Sequence, residues 1–255
     1  MIRVTRGPPP AGFARRSREW RRRLSAERRN RPDLTAGVFW ALIRDELRPD
    51  AAELRKRFRA KCGFCESKME SVSYPHIEHY RPKSRPEYER FMFSWTNWLL
   101  SCVRCNQTKR IQFPMHRRVP DLLDPTRDDP LAHLDFNRST ILGLSRRGRE
   151  TIRLVGLDRQ PLNGARAIWL TFVDALLLLA VLSQVPAVRQ EARNLLIWSM
   201  QDDAPFSAMV LAYLKTRTPR LASPVTPHLR VLEADQMERI RQLVRAHADE
   251  INQMH

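Results

Sequence analysis

Cys62-Gly63-Phe64-Cys65 and Cys102-Val103-Arg104-Cys105 form two C-x2-C pairs with 36 residues between them. Two such pairs supply four thiolates, the donor set of a closed tetrahedral Zn²⁺ site. A redox dithiol needs only one pair and usually lies at a strand–helix–strand turn, which the surrounding pattern lacks. Structural zinc is unreactive, so any chemistry has to come from the residues between and after the pairs. These read His76-Ile77-Glu78-His79-Tyr80-Arg81-Pro82-Lys83 and Trp95-Thr96-Asn97-Trp98-Leu99-Leu100, and the second pair runs into Asn106-Gln107-Thr108-Lys109-Arg110. A neutral imidazole takes a proton near pH 7. Carboxylate and amide oxygens suit a hard divalent cation, and Lys109 and Arg110 suit a phosphate. Each group alone has an ordinary reading: a polar-segment histidine, a turn beside a core tryptophan, a solvated helix face. Their order and spacing together point to metal-assisted hydrolysis.

Over residues 62–110 that order resembles the HNH (ββα-metal) nuclease motif. The motif has an acidic residue followed by His, then Asn-x-Leu, then a metal-binding residue on the helix opened by the second cysteine pair. The resemblance implies His79 as general base, Glu78 and Asn106 as ligands of a catalytic divalent metal, and Asn97 as the residue holding the His79 loop. Lys83, Lys109 and Arg110 would contact phosphate. Asn106 stands where the commonest pattern has His, making an H-N-N variant whose amide oxygen favours Mg²⁺ or Mn²⁺ over zinc. Glu78 stands where Asp is usual, which changes its reach. His76 shares a strand face with Glu78 and is either a further ligand or a packed histidine. A narrower likeness, over roughly residues 1–170, is to a bacterial HNH group. It rests on Met1–Phe13 as a short strand with a proline-rich entry, on Cys62–Glu66 and Ile77–Ser84, and on Leu123-Asp124-Pro125 through Thr151–Leu154 to Leu157. That group includes the nuclease subunit of Septu-type and retron-linked anti-phage systems, which implies DNA cleavage beside an ABC- or AAA-type ATPase.

These residues need elements to hold them, and the pattern is that of an α+β chain, mostly helical around a zinc-stapled ββα-metal core. Residues 1–60 read as an Arg-rich helical region, 61–120 as the nuclease core, and 121–255 as a short β-hairpin segment followed by helices. Helices are expected at about Ser17–Asn30, with Trp20 and Leu24 on one face, at Thr35–Leu47, stopped by Pro49, and at Ala51–Arg59. Leu134–Phe136 and Ile141–Leu144 alternate as strands, and Thr151–Val155 is compatible with a third. Helices follow at about 164–182, 187–200, 206–214 and 234–251. The run Ala175–Leu182 is apolar on every side, so its helix should be buried, either in a C-terminal bundle or against a partner.

Lys and Arg total 45 against 28 Asp and Glu, a net +17, and nearly all the excess lies in the first 120 residues. Such a chain suits a polyanion. Nine arginines in residues 14–31 make a candidate phosphate-contacting surface that includes Arg21 and Arg22, or else a solvated helix face. No secretory h-region follows the N-terminus, and the apolar run from Ala167 to Leu182 has 16 residues, short of the roughly 20 a membrane span needs. The expectation is a cytosolic protein off the membrane with reduced thiols. Two other functions fit the same charge and cysteines: a non-catalytic zinc module that binds nucleic acid, and an HNH-type nuclease acting on RNA.

Overall fold

Gly12, in the left-handed conformation (φ 74°), turns the proline-rich entry into helix α1, Phe13–Asn30. In the computed structural model, which describes residues 1–69 and 76–217, the chain divides into two units. The first takes residues 1–134 and 143–157, the second residues 135–142 and 158 onward. The Arg-rich helices and the cysteine-bearing segment therefore share one unit.

Within that unit, α1 buries Phe13, Ser17, Trp20 and Leu24, one stripe at helical spacing, and leaves most of its arginines outside. Trp20 packs against Phe93 and Trp98 (ring centroids 5.7 and 6.4 Å), and its indole N–H donates to Glu46 at 2.9 Å. Two arginines are structural. Arg16 pairs with the fully buried Asp50, and Arg28 forks onto Glu89 through bonds of 2.6 and 2.9 Å.

Helix α2 (Ala36–Leu42) is capped by Thr35, whose hydroxyl accepts from the Val38 N–H. It stops five residues short of the expected Leu47, and hydrogen-bonded turns carry the chain onward. Phe39, Ile43 and Leu47 stay buried at four-residue spacing, so the turns preserve the periodicity that suggested a longer helix. Pro49 opens α3 (Arg48–Arg57), whose first turn has no use for its missing N–H. Residues 1–12 form no strand. They strap the unit through Val4 N–H to Pro125 O (2.8 Å), Arg6 to Trp95 O (2.8 Å) and Trp95 Nε1–H to Gly7 O (3.1 Å).

Three small antiparallel pairs follow: β1 (His76–His79) with β2 (Trp98–Ser101), β3 (Met115–His116) with β4 (Val119–Pro120), and β5 (Leu134–Asn137) with β6 (Thr140–Gly143). Helix α4, Val103–Lys109, leaves β2 directly. Thr151–Val155 is helical, not extended. It belongs to α5 (Arg146–Val155), which Ser145 caps and Gly156 ends in the left-handed conformation. The burial of Gly148, Thr151, Leu154 and Val155 has the helical period.

In the second unit, α6 (Gln160–Leu182) packs against α7 (Pro186–Ser199) and α8 (Ser207–Arg217). At 23 residues α6 is long and apolar enough to cross a membrane by length and composition alone, more than the 16-residue run suggested. Its polar residues have protein surroundings. Arg166 is buried with its guanidinium over Phe136, and Asp174 accepts from the Tyr213 hydroxyl. Burial is one-sided: Leu170, Val173 and Leu176 are covered, but Ile168 is 75% exposed, and Leu179 and Leu182 nearly half. Burial of this helix wholly within the chain's own bundle is therefore not what the structure shows. The expected helix at 234–251 lies outside the described residues.

Gly148 marks the tightest backbone approach in the first unit, since a Cβ there would lie 2.0 Å from the His133 carbonyl oxygen. Gly148→Ala should push α5 off residue 133 and cost about 1–3 kcal/mol, read as a lowered urea midpoint at constant slope.

Candidate functional site

The two cysteine pairs converge. Cys62 and Cys65 lie in the turns after α3, Cys102 precedes α4, and Cys105 lies on its first turn. All four are buried, with sulfurs within 4.8 Å of one another and Cys65 to Cys102 at 3.9 Å. Tetrahedral Zn–S bonds of about 2.3 Å imply sulfur–sulfur edges of about 3.8 Å, so the cluster fits a structural metal such as zinc. Electrostatics favour a cation there. Hydrogen bonds from the other thiols, Cys102 first, hold Cys65 well below the usual thiol range, whereas burial pushes Cys62 well above it. Four buried thiolates require a cation to neutralise them.

Strands β1 and β2 pair with His79 opposite Trp98, Glu78 opposite Leu99 and His76 opposite Ser101. Alternation puts Glu78 and His76 on one face and His79 on the other. Helix α4 then returns to β1 through Lys109. This side chain is fully buried, and its ammonium lies 2.5 Å from Glu78 Oε1 and donates to the His79 carbonyl at 3.0 Å. Burial pushes the Glu78 carboxyl up, and Lys109 pulls it back. Lys109 therefore does not stand free for phosphate as the sequence suggested, because its charge balances a buried carboxylate. Asn106 lies one turn earlier on α4, half-buried, and its amide makes no hydrogen bond among the described residues.

His79 is only 4% exposed. Its Nε2 lies 3.0 Å from the Met92 carbonyl, which can only accept, so Nε2 carries the proton and Nδ1 keeps the lone pair. The same carbonyl accepts from Trp98 Nε1–H at 2.7 Å. The Trp40 ring stands edge-on to the imidazole at 4.4 Å, with the Lys83 ammonium 5.6 Å from the Trp40 centroid. Desolvation, aided by Lys83, holds the imidazole well below its usual pKa, so His79 is neutral at pH 7. Burial likewise lowers the Lys83 ammonium.

Asn97 fixes both segments that orient this ring. Its Oδ1 accepts from Arg81 N–H at 2.8 Å, and its Nδ2 donates to the carbonyls of Arg81 (3.0 Å) and Phe91 (3.2 Å). One clamp thus spans the turn after His79 and the turn that presents Met92. His76 lies exposed at the outer end of β1, and Arg110, Arg21 and Arg22 are exposed, Arg21 also donating to Arg90 O at 3.0 Å. Sequence reasoning missed two contributors, the Trp40 ring and the Met92 carbonyl. A backbone carbonyl has no residue signature, and Trp40 reaches His79 from 39 positions away.

No family model matches the chain. It is 35% identical over 142 residues to a Septu protein PtuB of Bacillus mycoides (strain KBAB4), covering 45% of this chain and 48% of that protein. A Septu protein PtuB of Bacillus thuringiensis is 29% identical over 100 residues, 39% of this chain and 37% of the relative. The chain thus spans less than half the length of these curated relatives.

Two outcomes follow. Purified protein should carry one zinc per chain by elemental analysis, and Cys105→Ser should lose both the zinc and the cooperative unfolding transition. Lys109→Met should cost about 3–5 kcal/mol by leaving Glu78 buried and unpaired, and adding Glu78→Leu should recover most of it in urea titrations. A single-variant loss below about 1 kcal/mol would show that the pair is not a buried one.

Proposed function

We propose that this chain is a metal-dependent HNH-type endonuclease that hydrolyses DNA phosphodiester bonds in the cytosol. The observation that carries the reading is the β1–β2–α4 arrangement. It carries a carbonyl-oriented His79 and the Lys109-paired Glu78 on β1, and Asn106 one turn before Lys109 on the helix that holds Cys105.

His79 would act through Nδ1 as general base, taking a proton from the attacking water. Its lowered pKa keeps that lone pair available at neutral pH. Asn97 would hold it in place by fixing the turns on either side, and Met92 O would stabilise the protonated ring through Nε2–H. The Glu78 carboxylate and the Asn106 amide oxygen would offer hard oxygen donors suited to Mg²⁺ or Mn²⁺. When bound there, the ion would supply charge neutralisation at the phosphate and the leaving oxygen. Lys109 then fixes the Glu78 carboxylate, and phosphate contact passes to the exposed Arg110, Arg21 and Arg22 and to the half-buried Lys83. Contacts of this kind give affinity without sequence preference and weaken steeply with salt.

Anti-phage defence is the context that the similarity to two Septu proteins supports, and an ATPase partner follows from the family resemblance.

Nicking of supercoiled plasmid in Mg²⁺ or Mn²⁺ tests the reading, comparing wild type with His79→Ala at equal zinc content. Wild type should cleave, and the variant should be slower by about 10²-fold or more. Equal cleavage by both would remove His79 from the chemistry. Faster cleavage of structured RNA than of DNA would reassign the substrate. Asn97→Ala should lower both rate and stability, since it leaves three part-buried backbone groups without their partner.

A further inference from the structure

Between Lys109 and Asp121 the chain leaves α4, forms a short hairpin and returns, without a single acidic residue from Phe91 to Pro120. The base of this excursion is fixed. Phe113 is buried edge-on against Tyr80 and Tyr88 (5.0 and 5.1 Å), Asp121 N–H donates to Pro114 O at 3.0 Å, and Arg147 holds Pro120 O at 2.9 Å. Tyr80 is the neighbour of His79, so the excursion is rooted beside the proposed catalytic cluster. Its tip is the pair β3–β4, in which His116 faces Val119 across a two-residue turn made of Arg117 and Arg118.

Both turn residues have positive φ, 47° and 66°. A two-residue hairpin of this hand requires that at both central positions, which is why Asn-Gly is the preferred pair and a β-carbon is a cost. Two arginines instead place two cations at the most projecting point. Among the described residues neither has a carboxylate partner, and Met115, His116 and Val119 beside them are all exposed.

We infer that the hairpin Met115–Pro120 is a groove-entering element for double-stranded DNA, with Arg117 and Arg118 on phosphates or base edges and Met115 and Val119 against the groove wall. This rests on the DNA-nuclease reading and specifies where the duplex is held. The B-form major groove, about 12 Å wide, admits a two-stranded ribbon, whereas the A-form RNA major groove is too deep and narrow for side chains to read. Arginines with no carboxylate partner among the described residues, in a stretch without acidic residues from Phe91 to Pro120, match a polyanion.

The test exchanges the tip for the residues its backbone prefers, Arg117→Asn with Arg118→Gly, in the full zinc-loaded chain, so folding is kept while the charge is removed. Binding is measured by fluorescence anisotropy without Mg²⁺, on a duplex DNA, its single strand and a duplex RNA, from 50 to 200 mM salt. The variant should unfold at the same temperature as wild type or higher. It should bind duplex DNA about tenfold more weakly, with a log–log salt slope shallower by about 1.8. Wild-type affinity and slope in the variant would overturn the inference and leave the nuclease reading standing, as would equal weakening on the single strand. Loss of defence in cells with duplex affinity unchanged would assign the hairpin to a protein partner instead. Absence of duplex binding by wild type itself would sink the nuclease reading, and this inference with it.

Discussion

The buried pair between Lys109 on α4 and Glu78 on β1 links the cysteine cluster to the histidine. Helix α4 follows directly on Cys102, so its origin is set by the thiol cluster, and it ends at Lys109, so its direction is set by β1. Any displacement of α4 would strand a carboxylate and an ammonium in the interior, each costly without the other. The same ammonium holds the His79 carbonyl, so the backbone that carries the imidazole is tied to that charge pair. Cysteine cluster, strand and helix therefore move as one body or not at all.

Around that body the molecule is built from aromatic side chains and backbone carbonyls. Trp98 supports His79 in two ways: by packing, and by sharing the Met92 carbonyl with it. Trp40 packs edge-on against the ring and adds to the burial that disfavours its charged form. Neutral histidine in this site is thus a product of packing, with nearby cations reinforcing it. The Arg-rich α1 contributes in the same way, through Trp20 against Trp98, while most of its arginines face outward.

How much of this was legible in the sequence depended on the range of the interaction. The C-x2-C pairs, the adjacent Glu78 and His79, and the strands at Leu134 and Ile141 are local patterns, and the chain folds locally as they suggest. Thr151–Val155 misled because β-branched residues that look extended lie on a capped helix whose burial is set by contacts elsewhere. Lys109 looked like a solvated cation because nothing in its neighbourhood of sequence reveals the carboxylate 31 positions earlier. The Arg117-Arg118 turn was invisible for the opposite reason, since it lacks the glycine or asparagine by which such turns are recognised. Helix α6 was legible in composition, but which of its apolar faces the chain itself covers was not, because composition does not say which surfaces meet.

The Asn97 clamp has an evolutionary consequence. Its one amide answers two carbonyls and one N–H in a fixed geometry, a combination that Asp, Ser and Gln do not reproduce. Random drift at this position therefore has no mild path: any replacement leaves at least one of these backbone groups without its partner. His79 is different, because an inert side chain of similar shape could occupy its pocket while the clamp stays. A descendant that keeps the scaffold for binding alone would carry an unchanged Asn97 beside a substituted His79, a genealogical signature set by hydrogen-bond valence.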